Sequence, residues 1–178
     1  MEKLDMYFCD VLGRAQLHSE TLTSLVMSNC MLLDEVDIWA RNLQNFGYVH
    51  NPQVVKLNYS TFKYIRRLLL LNIDVDFGVL LINSSNFPAL VSLKVGICMN
   101  MEQLMIASNK LESLDVCRCK NLEYCMIVAP QLLSFTYSGQ VVHMDRLVAS
   151  RKLCVALILK EPYGGHTHIE KGFVEGVC

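Results

Sequence analysis

Cysteine is the residue type through which this sequence could most readily do chemistry, with eight cysteines among 178 residues. An even number admits a disulfide framework. Cys117-Arg-Cys119 together with Cys125 invites comparison with a metal centre, but zinc is held by two separate ligand pairs of the form C-x₂₋₄-C, and no second pair is present. His166 and His168 alternate, which on a strand would put both rings on one side. No third ligand lies near them, and Gly164-Gly165 just before them makes a flexible C-terminal loop the simpler reading. Asp74 and Asp76 alternate as calcium ligands do, yet the glycine and glutamate that complete such a loop do not follow, leaving a solvated acidic loop. No G-x-S-x-G, phosphate-binding glycine loop, G-x-G-x-x-G or H-E-x-x-H occurs. The chain is therefore read as not an enzyme, with no catalytic residue, no cofactor and no metal site assigned.

Composition narrows the remaining classes. Apolar residues make up 52% and charged residues 19%, which excludes a disordered chain. Sixteen basic residues stand against 17 acidic, so no basic excess suits nucleic acid. No apolar run approaches the ~18 residues of a membrane span, and the N-terminus lacks the charged-then-apolar pattern of a signal peptide. Neither nucleic acid nor membrane is an expected partner. The expected compartment is the reducing cytoplasm or nucleus, where stable disulfides are rare.

What positions the cysteines is a repeat. Leu90-Val-Ser-Leu93-Lys-Val95-Gly-Ile-Cys98 recurs 21 residues later as Leu111-Glu-Ser-Leu114-Asp-Val116-Cys-Arg-Cys119. The same frame opens at Met1, Leu22, Leu43, Ile65, Leu90, Leu111, Leu132 and Leu153, at intervals of 21, 21, 22, 25, 21, 21 and 21. In all of them the residues zero, three, five and sixteen places on are apolar. The sixteenth-place set is Leu17, Ile38, Tyr59, Leu81, Ile106, Ile127, Val148 and Ile169. Alternation at the third and fifth places predicts a short strand with those residues inward and their neighbours outward. Leu104/Ile106 and Val36/Ile38 alternate like a second strand. About a dozen residues remain for each return path, too few for long helices. Pro52 marks a turn in the less regular central part.

The pattern L-x-x-L-x-L-x-x-[N/C] resembles the core of the leucine-rich repeat. The expected fold is a leucine-rich-repeat solenoid of about eight short repeats over residues 1–160, followed by a tail at 161–178. A parallel sheet would line the concave face, with short strands or helical turns on the convex face. Cys9, Cys30, Asn51, Cys98 and Cys119 fall where the chain leaves the strand, with Asn72 one residue early. There a small polar side chain can bond backbone groups of adjacent turns, so these are read as a structural ladder. Cys125 falls on another inward position, and these cysteines are read as buried free thiols.

A narrower resemblance is carried by Cys119, Asn121, Leu122, Glu123, Ile127, Ala129, Pro130, Leu132, Ser134, Phe135, Tyr137, Ser138 and Gly139. The segment Phe87 to Gly139 resembles the leucine-rich region of plant F-box/LRR proteins, including those with an FBD segment. A weaker copy runs through Ile38, Ala40, Asn42, Leu43, Phe46 and Tyr48. The resemblance implies a substrate receptor of an SCF-type ubiquitin ligase, in which an F-box binds a Skp-type adaptor and the repeats bind the target. No F-box is recognisable, and Met1, Leu4 and Met6 already stand in register. The expectation is a fragment of a longer receptor or an F-box-less relative, with the Skp-type adaptor a partner only where a longer form carries an F-box. The alternative is a non-ligase scaffold or an immune-receptor-type repeat segment. A protein target would meet the outward residues of the concave strands, and Ser92, Lys94, Ser113, Asp115, Ser134 and Thr136 are the candidate contacts.

Overall fold

Each turn of the chain spends its apolar residues on two short strands and its small or polar residues on the corners between them. In the computed structural model, which describes residues 2–9, 13–33, 35–51, 56–57, 59–74, 78–159 and 168–173, this produces a leucine-rich-repeat solenoid of about seven turns. In chain order the strands are β1 Lys3–Tyr7, β2 Arg14–His18, β3 Ser24–Ser28, β4 Glu35–Trp39, β5 Asn45–Val49, β6 Lys56–Leu57, β7 Arg67–Leu71 and β8 Val79–Asn83. They continue as β9 Ser92–Gly96, β10 Gln103–Ala107, β11 Ser113–Cys117, β12 Tyr124–Val128, β13 Ser134–Gly139, β14 His143–Val148, β15 Cys154–Leu159 and β16 His168–Phe173. The odd-numbered strands β1 to β15 form one parallel sheet in sequence order, and β16 closes its far edge. The even-numbered strands form two smaller sheets, β2-β4-β6 and β8-β10-β12-β14. A single 3₁₀ segment, Tyr59–Tyr64, is the helix among the described residues.

Register follows the period. Leu93 pairs with Leu114 and Leu114 with Phe135, so inward side chains stack on their counterparts in the next turn. Leu25, Met27, Leu93, Val95, Leu114 and Val116 are all buried. Each such side chain contributes about 1.5–3 kcal/mol, which makes the spacing itself the main source of stability. From the return strands Val36, Ile38, Leu104, Ile106, Cys125 and Ile127 complete the core.

The corners are β-turns at frame starts. Leu43 N–H donates to the Ala40 carbonyl at 3.1 Å, Leu90 to Phe87 at 3.2 Å, and Leu132 to Ala129 at 2.9 Å. Pro88 and Pro130 occupy the second position of two of these turns, where their fixed φ fits. At the opposite corner the residue seven places after each of the first six frame starts takes a left-handed conformation. Phe8, Asn29, His50, Asn72, Ile97 and Arg118 have φ between 50° and 59°. The reward is another inter-turn hydrogen bond, such as Ile97 N–H to Cys117 O at 2.9 Å and Asn72 N–H to Gly96 O at 2.8 Å.

Five sequence-based expectations need correction. In the eighth repeat the strand arrives one residue early, so Val155 and Leu157, opposite Phe135 and Tyr137, take the inward places expected of the third- and fifth-place residues Ala156 and Ile158. In the long fourth repeat Leu81 is not inward: it is 50% exposed, and Ile82, at 2%, takes the core place opposite Ile106. The interval of 25 residues shifts the return strand by one place, and a one-residue shift moves each side chain to the other face. In the seventh repeat a bulge at the pairing of β12 with β14 sets Ile127 against Leu147, so Leu147 packs against the core in the place expected of Val148. Asn72 is a left-handed corner residue, and buried Ile73 fills the ladder place of its repeat. Ile169 is no return-strand residue, and 168–173 is no flexible loop: β16 pairs antiparallel with β15, Ile169 opposite Ile158. Pro52, Asp76 and His166 lie outside the described residues, as does the side chain of Tyr59.

Candidate binding face

On the main sheet the first, third and fifth residues of each strand face away from the core. Three rows of side chains therefore run across the strands. The middle row reads Asp5, Val26, Gly47, Leu69, Lys94, Asp115 and Thr136, set by the register of consecutive strands. The row before it contains Ser24, Asn45, Arg67, Ser92, Ser113 and Ser134. The six residues anticipated from the sequence, Ser92, Lys94, Ser113, Asp115, Ser134 and Thr136, thus form a contiguous block on β9, β11 and β13, none of it buried.

Inside the block, Lys94 and Asp115 are bonded to each other. Lys94 Nζ lies 2.7 Å from Asp115 Oδ2, with the side chains 47% and 31% exposed. The hydrogen bond to Asp115, and then its charge, raise the Lys94 ammonium above its ordinary value. The neighbouring Cys117 thiol is also raised, first by burial and then by the Asp115 charge. An exposed pair of this kind is worth no more than about 1 kcal/mol, so its net stabilisation is small.

In the row of fifth residues Gly96 leaves room for Cys117 on the adjacent strand. A Cβ on Gly96 would stand 2.4 Å from Cys117 Sγ and 2.9 Å from the Cys117 carbonyl oxygen. Gly47 has the opposite consequence. It stands in the middle row between Val26 and Leu69, and the missing side chain opens a depression of about 220 Å³. Its floor is Val26, Gly47 and Leu69, and Ser24, Asn45, Arg67, Ser92 and Lys94 surround it. Sequence reasoning placed each of these residues on the face without seeing the depression. The available signal was Gly47 itself, a glycine at a row position flanked by two branched apolar residues in the adjacent repeats.

The ladder residues lie behind one end of the strands. Asn51 is buried, accepts a hydrogen bond from Cys30 N–H at 2.7 Å and donates to the Met27 carbonyl at 3.0 Å. It therefore ties its own turn to the preceding one. The cysteines behave differently. The thiols of Cys9, Cys30, Cys98 and Cys119 donate to the carbonyls two residues back, Tyr7, Ser28, Gly96 and Cys117, within their own turn. Sulfur prefers this because a thiol has one weak donor and the nearest carbonyl is local. Between turns, contact with the Cys98 thiol, reinforced by burial, holds the Cys119 thiol well above its ordinary value. Burial pushes Cys125 up to about 12. None of the seven cysteines among the described residues is in a disulfide. No group of three or more potential metal ligands occurs among the described residues. No helix there is long and apolar enough to cross a membrane.

Spacing, parallel sheet, corner turns and ladder together define a leucine-rich-repeat domain. The family model of the At1g61320/AtMIF1 LRR domain matches residues 59–158, more than half of the chain, and the chain belongs to that family. No curated protein and no solved structure matches it.

Proposed function

We propose that this chain is a protein-interaction module that receives a protein target on the outward rows of its main sheet, and that it serves as the target-recognition part of an SCF-type ubiquitin ligase. The observation that carries the first half is the solvent-facing surface of eight parallel strands, where small serines leave the backbone accessible between charged and apolar neighbours. The second half is supported by the resemblance of Phe87 to Gly139 to F-box/LRR receptors. Buried thiols that remain free suit a reducing compartment, the cytoplasm or nucleus. The Skp-type adaptor would engage an F-box in a longer form and not the rows described here.

The test is affinity capture with the natural full-length protein, scored for a target protein, the Skp-type adaptor and cullin. Recovery of all three supports the ligase reading. Recovery of a target without adaptor or cullin overturns it in favour of a non-ligase scaffold or immune-receptor-type segment. Recovery of no protein partner overturns the interaction reading itself. Within the face, reversing both charges (Lys94→Glu with Asp115→Lys) should weaken target binding; unchanged binding removes these two residues from the contact surface.

A further inference from the structure

The depression around Gly47 differs from the rest of the face in both shape and charge. Its floor of Val26, Gly47 and Leu69 is apolar, and at about 220 Å³ it is smaller than small-molecule pockets, which begin near ~300 Å³. That size suits one or two side chains of a larger ligand. Two cations border it, and they are not equivalent. Lys94 is committed to Asp115 at 2.7 Å. Arg67, two residues along β7 from Leu69, is exposed and has no ion pair among the described residues. Two residues along a strand is about 7 Å, the spacing of side chains i and i+2 on one face of a bound extended peptide. Asn45, beside Arg67 on the adjacent strand, donates its Nδ2 to the Thr23 carbonyl at 3.4 Å, which leaves its Oδ1 to accept from the peptide backbone of such a ligand.

We infer that this depression binds an extended protein segment carrying a branched apolar residue two positions from an acidic one, the apolar side chain over Gly47 and the carboxylate on Arg67. This rests on the reading of the sheet face as a protein-binding surface, and adds to it the chemistry of the bound segment. A guanidinium with no carboxylate partner takes one bidentately, and that charge-assisted contact supplies selectivity for acid over amide. The apolar floor supplies affinity by desolvation. The committed occupant is an internal Asp or Glu side chain, not a chain-terminal carboxylate.

The test uses N-acetylated, C-terminally amidated octapeptide pools with fixed residues Leu-Glu, Leu-Gln, Ala-Glu or Leu-Lys at central positions i and i+2, the intervening and other positions drawn from Ser, Thr and Gly. Amidation removes the terminal carboxylate as a source of binding. Fluorescence anisotropy against the full chain should show the Leu-Glu pool binding about tenfold tighter than Leu-Gln or Ala-Glu. Arg67→Glu should erase the Leu-Glu preference and shift it to Leu-Lys. Gly47→Leu, which fills the depression from an outward position, should abolish binding of every pool. Equal binding of Leu-Glu and Leu-Gln, no binding of any pool to the folded chain, or binding indifferent to Arg67→Glu overturns the inference. If Gly47→Leu fails to fold, Arg67→Glu decides alone, because its side chain is exposed. A captured protein target that binds Gly47→Leu and Arg67→Glu as well as it binds the parent overturns this inference while leaving the interaction module standing. Failure to capture any target overturns the broader reading whatever the peptides do.

Discussion

Asn51 shows how much one side chain can carry in a repeat. It is buried and satisfies both a backbone donor and a backbone acceptor, the Cys30 N–H and the Met27 carbonyl. Asn51→Ala would strand both groups out of water, at about 1–3 kcal/mol each when unpaired. The urea midpoint of Asn51→Ala should fall accordingly, whereas Cys30→Ala, which loses a weak local thiol bond, should cost less. Arg118 is strained in the opposite sense. It is exposed, with φ at 56°, where an L-residue loses roughly 1–2 kcal/mol relative to its preferred regions. Glycine gives back part of this through its greater freedom when unfolded. Arg118→Gly should therefore raise stability by about 0.5–1 kcal/mol, read as a higher denaturant midpoint. Cys125 sets a pH dependence. Its folded value of about 12 exceeds the ordinary 9.0, so folding favours the neutral thiol. The associated stability is complete below pH 9 and drains away as pH rises towards 12. Urea melts between those limits should show a steeper loss for the parent than for Cys125→Ala.

Between strands, contact is decided by which side chain is absent as much as by which is present. At Gly96 the obstacles to a Cβ include the Cys117 carbonyl oxygen at 2.9 Å, and backbone cannot swing aside. Gly96→Ala should force β9 and β11 apart locally, costing about 1–3 kcal/mol, and Cys117→Ala should rescue only part of the loss. The expected signature in a thermal melt is a lowered midpoint for Gly96→Ala that stays lowered in the double variant. At Gly47 the nearest atom is a Val26 methyl at 3.2 Å, a side chain that can yield. The two glycines thus have different roles on one face: Gly96 lets two strands approach, and Gly47 leaves space for something else.

Over the whole chain, a solenoid is held by neighbour-to-neighbour packing, so its unity depends on the weakest junction. The irregular intervals of 22 and 25 residues fall together in the middle, and the 3₁₀ segment ends the first of them. Phe62 fills this junction, with its ring 5.1 Å from Phe46 and 5.9 Å from Phe87. Phe62→Ala should cost about 3–5 kcal/mol. It should also split unfolding into two phases, because the regular turns on either side no longer share a core. A single cooperative transition in that variant would show that the coupling runs through other residues. At the other limit of the sheet, β16 turns back antiparallel on β15 and occupies hydrogen-bonding groups that a parallel ninth turn would otherwise use.

The repeat and most of its inward residues were legible in the sequence. Side-chain alternation along a strand is a local property of the backbone, and a period of 21 restates it every turn. Leu93, Val95, Leu114 and Val116 could be placed in the core from spacing alone, and Lys94 beside Asp115 from the same count. Spacing could not place Ile82 or Leu147, because a bulge or an extra loop residue changes face parity without changing composition. Nor could it show the Asn51 bridge, the left-handed Ile97 and Arg118, the fold-back of β16, or the depression at Gly47. Each of these depends on what an adjacent turn presents at that point. Local periodicity decided that the chain would coil and which way its side chains would point. The packing of one turn on the next decided where the coil shifts register, how it closes, and where its face has room for a ligand.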